Sequence, residues 1–412
     1  MRILVLIIAL GVAVAPARAM GADAQPIRVG FISPLSGPFA ITGQQLLDGI
    51  NLYLEKTRGR LGGRPVRLLV EDDQFSPQVG LTKARKLVES DRIELLTGLI
   101  NSAGAYALRE YIDSSQVPTV IAVAGGDDLT QRARARFLVR TGWGASSQFA
   151  HPFGVYVARQ LGYRRVATLA DDFAFGHEFI GGFQRTFEEH GGQVVAKIWT
   201  PIGTTDFSPF LARIPRDVDA VVAAVVGPIA LRFLKQYDEF GLKRRTPIVG
   251  PGHMTDEINL PQMGDEAVGM ITTLHYSAAL TNQWNRTFVA AHMQRYNRLP
   301  SAYSEAGYTT ALWIDRALRR VGGRITDKAA FVQAMHALVV ADTPRGPLRL
   351  DPYGNVVQNI YIRRVDRVDG RLQNTVIYTY PNVSQFWTYP PEEYLRAPVY
   401  ARDNPPCRFC GR

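Results

Sequence analysis

The sequence predicts an α/β protein made of two similar lobes, and three observations carry that reading. Three successive units of apolar strand, small-residue loop and helix fill residues 27–126. The same rhythm starts again after Gly142-Trp143-Gly144 and runs to about residue 274. The 412 residues allow two or three domains at roughly 150 residues each.

The first unit organises the chain. Ile27 to Ile32 reads as a buried strand, and Ser33-Pro34, Ser36-Gly37-Pro38 and Thr42-Gly43 punctuate a loop. A helix follows, with Leu46, Leu47, Ile50, Tyr53 and Leu54 on one face. Arg64 to Glu71 is the next strand, and Ser76-Pro77 starts a helix. Ile93 to Leu99 is β-like and ends at Asn101-Ser102, ahead of a small-residue helix. The strand TVIAVA then stops at Gly125-Gly126. Loops at the carboxyl ends of parallel strands line the ligand crevice of an open sheet. Three such loops of small residues make a concave wall of backbone donors and short hydroxyls. Ser102 can serve as a helix N-cap, as a ligand contact, or as both.

In the second half, Arg165 to Ala170, Val194 to Thr200, Asp219 to Val226 and Thr246 to Gly250 read as strands. Phe179, Phe183 and Phe187 recur every fourth residue, which is a core stripe. Helices are expected around Trp284 to Tyr296, Tyr303 to Gly322 and Phe331 to Leu338, and a hairpin around Asp351 to Asn355. From Pro381 the Pro-, Tyr- and Arg-rich end is expected to run over the surface.

Residues 1–24 read as a cleaved secretory leader. Arg2 supplies charge, Ile3 to Val14 the apolar core, and Ala17-Arg18-Ala19 or Ala22-Asp23-Ala24 the cleavage site. No other run approaches the ~18 apolar residues of a spanning helix, so an exported chain is expected, with the periplasm as its address. The net charge of +10 comes from scattered arginines such as Arg132, Arg134, Arg164, Arg244 and Arg319. That is a solvated basic surface, not a nucleic-acid stripe. The only cysteines, Cys407 and Cys410, lie in the tail, where an oxidising compartment favours a local disulfide.

Chemistry is not legible. The chain has no phosphate-binding G-x-x-x-x-G-K-[ST], no G-x-G-x-x-G after its first strand and no G-x-S-x-G. None of its seven histidines pair at H-x-x-x-H spacing, and the Asp72-Asp73 pair reads as loop capping. The expectation is binding without turnover, with no cofactor and no metal.

The segments VGFISPLSGPFAITGQQLLDGINLYLE, RLLVEDD, TGLINSAGAYAL and RTGWGASSQFA resemble the periplasmic leucine/isoleucine/valine-binding protein family over about residues 26–390. These are solute-binding proteins of ABC importers. The resemblance implies a type I periplasmic binding fold: two Rossmann-like lobes with parallel central sheets, joined by a three-strand hinge and closing over a ligand. It places lobe 1 at 26–141 plus 275–352. Lobe 2 follows at 142–274 plus 353–412, ending in a C-terminal surface tail. It also implies a monomer that delivers its ligand to permease subunits in the inner membrane.

In that family a serine of the second loop and groups of the third hold the ligand carboxylate. Ser102 matches the serine, and Val123, Ala124 and Gly125 match the third loop, with Gly125 in place of the usual threonine. Thr42 stands where the family has a tyrosine, and Phe175 matches an aromatic of lobe 2. The family's ammonium-binding glutamate would fall near Pro251-Gly252-His253, where no acid stands. The candidate site is therefore Thr42, Asn101, Ser102, Ala124, Gly125, Phe175, His253, Tyr276 and Tyr303. Hydroxyls, N–H donors and ring faces without an acid suit an aromatic carboxylate of benzoate or phenylpropenoate type. Branched-chain amino acids, amides or urea are the alternative ligands, and a ligand sensor is the alternative role.

Overall fold

The computed structural model describes residues 25–411; the expected leader lies outside them. The first sheet contains β1 (Ile27–Ser33), β2 (Arg60–Leu61), β3 (Arg64–Asp72), β4 (Leu95–Gly98), β5 (Thr119–Ile121) and β6 (Leu138–Arg140). Its order is β2-β3-β1-β4-β5-β6, all parallel except the antiparallel β2 at the edge. Helices α1 (Ala40–Lys56), α2 (Pro77–Arg85) and α3 (Ser102–Ser115) make the crossovers.

The second sheet has nine strands: β7 (Arg165–Asp171), β8 (Gln193–Thr200), β9 (Ala220–Ala224), β10 (Ile248–Pro251), β11 (Ile271–Leu274), β12 (Val339–Val340), β13 (Leu348–Leu350), β14 (Val356–Val368) and β15 (Arg371–Val383). Strands β8-β7-β9-β10-β11 are parallel, and β14 joins β11 antiparallel. The sheets are thus mixed, where the sequence reading expected parallel ones. Every residue of β9 is buried, as expected of a strand covered on both faces. Around this sheet lie α4 (Ser146–Arg159), α5 (Ala174–Glu189), the short α6 (Ser208–Leu211) and α7 (Ile229–Glu239).

After β11 the chain forms α8 (Gln283–Tyr296), α9 (Ala302–Arg320) and α10 (Lys328–His336). Helix α9 lies along α1 at very short range. A Cβ on Gly49 would meet the Ser304 carbonyl at 1.9 Å, and one on Gly307 the Leu46 carbonyl at 2.2 Å. Those two glycines let the backbones touch, and Tyr53 locks the pair by donating to Asp315 at 2.9 Å.

The crossing segments between the sheets are stapled by buried side chains. Gln148 donates to the Val356 and Val383 carbonyls at 2.8 and 2.7 Å. Arg345, fully buried, donates to the Thr141 and Gly142 carbonyls and to Glu305.

The expected hairpin at Asp351 to Asn355 joins β13 to β14, since Leu350 pairs with Val356. A second, longer hairpin follows, β14 with β15, turning at Asp369-Gly370 with φ of 48° and 77°. Asp-Gly with both φ positive suits a type I′ turn, a signal the sequence reading passed over. The tail also departs from a surface course, because Phe386 and Tyr394 are buried and α11 (Pro391–Arg396) packs there. Cys407 and Cys410 are disulfide-bonded. No helix among the described residues is long and apolar enough to cross a membrane.

Candidate functional site

Strand exits from both sheets converge on one cavity. On the first sheet, β1 runs into a 3-10 turn (Gly37–Phe39) and then α1. Pro38 presets the φ of that turn, so the helix begins earlier than expected. Thr42 is therefore in the first turn of α1, donating its hydroxyl to the Phe39 carbonyl at 2.6 Å. After β3, Gln74 and Phe75 both adopt left-handed φ of 53° and 60°. This uncommon backbone is held by two bonds: Asp73 accepts from the Phe75 N–H at 2.9 Å, and Asn101 donates to the Phe75 carbonyl at 2.7 Å. The Phe75 ring consequently stacks on Phe39, with centroids 4.0 Å apart and planes at 20°.

After β4, Leu99 is again left-handed (φ 60°), and the chain turns into α3, whose first residue is Ser102. Asn101 is the N-cap and accepts from the Ala103 N–H at 2.9 Å. After β5, the segment around Gly125 is fastened by the fully buried Arg140, which donates to the carbonyls on either side, Ala124 at 3.0 Å and Gly126 at 2.8 Å.

The other wall begins after β6 with Trp143, whose ring lies 5.1 Å from Tyr303 of α9. Phe173 and Phe175 follow β7, Val226 and Gly227 follow β9, and His253 follows β10. Phe175 meets His253 edge-on at 4.9 Å and 71°. Behind His253, the fully buried Arg363 donates to the Gly252 carbonyl at 2.6 Å and to the Tyr276 carbonyl at 2.8 Å.

The cavity has about 480 Å³ of unfilled space including its open mouth. Water centres can occupy about 50 Å³ of it, room for a few waters. Among the described residues, its lining holds no Lys, Arg, Asp or Glu, and seven of its side chains are aromatic or imidazole rings. Burial, with Arg363 nearby, pushes the His253 imidazole down to about 3, so it is neutral.

An acid, Asp256, sits three residues beyond the stretch where the sequence reading found none. Asp256 borders a smaller recess shared with Thr42, Gly227, His253 and Tyr303. Its two oxygens accept from the Ile258 and Ala302 N–H groups, each at 3.0 Å, so it caps backbone. Burial, then the Glu257 charge, pushes its carboxyl up to about 7.

Six expected residues line this cavity: Thr42, Ser102, Gly125, Phe175, His253 and Tyr303. Three do not. Asn101 spends its side chain on Ala103 and Phe75, and Ala124 contributes backbone to Leu99 and Arg140. Tyr276 is fully buried and donates to Asn285 of α8 at 2.9 Å. Val123, matched to the third loop by the resemblance, also lines the cavity, whereas the sequence reading missed Phe39, Phe75, Ile100, Trp143, Phe173, Val226 and Gly227. Some carried a signal: Trp143 is glycine-flanked at a strand exit, and Phe173 precedes Phe175 by two.

A sequence profile for the periplasmic binding protein family matches residues 26–371. The Leu/Ile/Val-binding protein homolog 6 of Brucella melitensis is 31% identical over 373 residues, covering 88% of this chain and 93% of that protein. Among solved structures, an ABC transporter substrate-binding protein from Sphaerobacter thermophilus is 35% identical with a TM-score of 0.82, covering 88% of this chain and 99% of that one. An ABC-transporter solute-binding protein from Rhodopseudomonas palustris BisB5, in complex with 3,4-dihydroxybenzoic acid, is 32% identical with a TM-score of 0.83, covering 87% and 98%.

Proposed function

This chain belongs to the periplasmic binding protein family and is a substrate-binding protein of an ABC transporter; from that premise we propose that it captures an aromatic carboxylate in the periplasm and hands it to an inner-membrane permease. The observation that carries the ligand is the cavity itself: ring faces from both sheets and no acid in its lining. The carboxylate lies at the α3 N-terminus, where Ser102 and first-turn N–H groups favour an anion. Gly125 adds backbone, and the flanking aromatics sandwich the ring. The Rhodopseudomonas neighbour, with its dihydroxybenzoic acid, supports the same ligand class.

The lobes are 26–141 with 275–352 and 142–274 with 353–412, and they close by hinging where the crossing segments meet. Helix α9 against α1, and β14 against β11, support that division. Strands β12 and β13 attach through β14 to the second sheet and lie beside the hinge. The protein acts as a monomer, and residues 1–24 are its cleaved leader.

The Brucella relative's name favours a second reading, a branched-chain amino acid. That ligand brings an α-ammonium, and the cavity lining holds no acid while Asp256 of the adjoining recess already accepts two backbone N–H groups, so the ammonium would be buried without a dedicated counter-charge.

A thermal-shift screen separates these ligands. A ligand at 100 times its Kd stabilises by about 2.7 kcal/mol. Benzoates and phenylpropenoates are expected to raise Tm most, and a larger rise with leucine, isoleucine, valine or small amides overturns the reading. Ser102→Ala is expected to weaken aromatic-acid binding by about 1–3 kcal/mol through loss of a charge-assisted hydrogen bond. An unchanged Kd would remove Ser102 from the contact.

A further inference from the structure

The cavity has a deep end and a mouth. Of its lining residues, Phe75, Ile100, Phe173 and Val226 are half-buried, and the others are buried. The sheet order agrees. Strand β3, whose exit carries Phe75, lies two strands from β4 on the side away from β6 and Trp143. At the deep end Trp143 is backed by Tyr303 at 5.1 Å and His275 at 4.6 Å. A carboxylate at Ser102, after β4, therefore stands between an aromatic wall on the hinge side and Phe75 at the mouth.

Phe75 is not free to swing aside. A bulky residue at positive φ is an outlier, and such strain persists where the surroundings enforce it. The Phe75 N–H is held by Asp73 and its carbonyl by Asn101. Asn101 also accepts from the Ala103 N–H, in the helical turn that carries Ser102. One side chain thus ties the mouth to the carboxylate end. Within the cavity the Phe75 ring stacks on Phe39. Phe39 in turn abuts the second lobe, where a Cβ on Gly227 would stand 2.9 Å from its ring. The stacked pair is a fixed wall. Carbon atoms inserted between a ligand's ring and its carboxyl group drive the ring into that wall.

Resting on the aromatic-carboxylate reading, we propose that Phe75, backed by Phe39, is a specificity-determining residue that limits ligand length, so that the protein takes acids whose carboxyl group is attached directly to the aromatic ring and rejects those that carry it on a side chain. Asn101 is a positioning residue that acts through Phe75. A single extra methylene against a hydrophobic wall is worth roughly 10–200-fold in affinity, so the discrimination is measurable.

Calorimetric titration of the mature protein with benzoate, phenylacetate and 3-phenylpropenoate tests this. Benzoate is expected to bind at least tenfold tighter than either longer acid. Phe75→Gly removes the ring and suits the left-handed backbone, and it is expected to shrink that preference at least tenfold. Gln74→Gly relaxes the neighbouring left-handed residue while keeping the ring, and it is expected to leave the preference unchanged. A wild type that binds 3-phenylpropenoate as tightly as benzoate overturns the proposal. So does a Phe75→Gly protein that weakens all three acids alike, or a Gln74→Gly protein that loses the preference as fully. In each of these cases aromatic acids still bind, and only the length limit fails. If none of the three binds and leucine does, the aromatic reading fails with it. Should Phe75→Gly not fold, Phe75→Asn carries the same expectation, because asparagine also tolerates the left-handed region.

Discussion

Arg140 offers the sharpest test of how the cavity is built. Its guanidinium is fully buried and donates to four acceptors: Asn355 Oδ1 at 2.7 Å, Thr130 Oγ1 at 2.6 Å and the Ala124 and Gly126 carbonyls. Two of these flank Gly125, so the residue holds a cavity loop from beneath. In Arg140→Met all four acceptors lose their donor, at about 1–3 kcal/mol for each one left unsatisfied. Removing the cation also removes its own burial penalty, so the net loss settles near the ~3–5 kcal/mol typical of breaking a buried charged network. Arg140→Lys keeps the charge but not the planar fork, and a loss of roughly 2–3 kcal/mol is expected. Urea titration followed by both tryptophan fluorescence and circular dichroism measures this, since two probes test whether one transition describes both lobes. The Asp127 carboxyl, which burial pushes up to about 6 while the Ser147 N–H and Arg140 oppose it, is expected to rise further without the arginine. A loss below about 1 kcal/mol in Arg140→Met would refute the reasoning, because the loop would then find its donors elsewhere.

Two further outcomes are expected. In Gly227→Ala the new Cβ stands 2.9 Å from the Phe39 ring on the opposite wall, at a left-handed φ of 61°. A modest stability loss of about 1–2 kcal/mol should accompany at least a tenfold loss of ligand affinity, and unchanged affinity would show that the walls do not approach there. His151 is fully buried, and burial, then the Arg185 charge, pushes its imidazole down to about 3. A depressed histidine contributes stability that is present above its unfolded value of about 6.5 and lost as pH falls toward its folded value. Between pH 7 and pH 5 the wild type should lose about 2 kcal/mol more than His151→Asn, and equal slopes in urea titrations would contradict the depressed value.

Much of the architecture was readable because apolar periodicity is a local property. The strand cores around Phe31, Leu96 and Val222 and the Phe179/Phe183/Phe187 stripe declare themselves by spacing, and all are buried. The β14–β15 hairpin escaped because its solvent-facing residues, such as Arg364, Asp366 and Arg367, dilute the apolar alternation of Ile360, Ile362 and Val365. Of the cavity, small residues at strand exits, Ser102 and Gly125, were found by position in the unit. Phe75 was not, because nothing local marks a phenylalanine whose left-handed backbone depends on Asn101, 26 residues later.

Taken alone, the order of residues determines two α/β units, where their strands stop, and the family to which the chain belongs. It also determines that small polar groups and aromatics cluster at those stops. Which aromatics face one another and that Asp256 is occupied by backbone were decided only by the folded chain. Strand and helix signals depend on neighbours a few residues apart. Hydrogen-bond satisfaction in a cleft depends on partners brought together from opposite ends of the molecule, and only folding selects them.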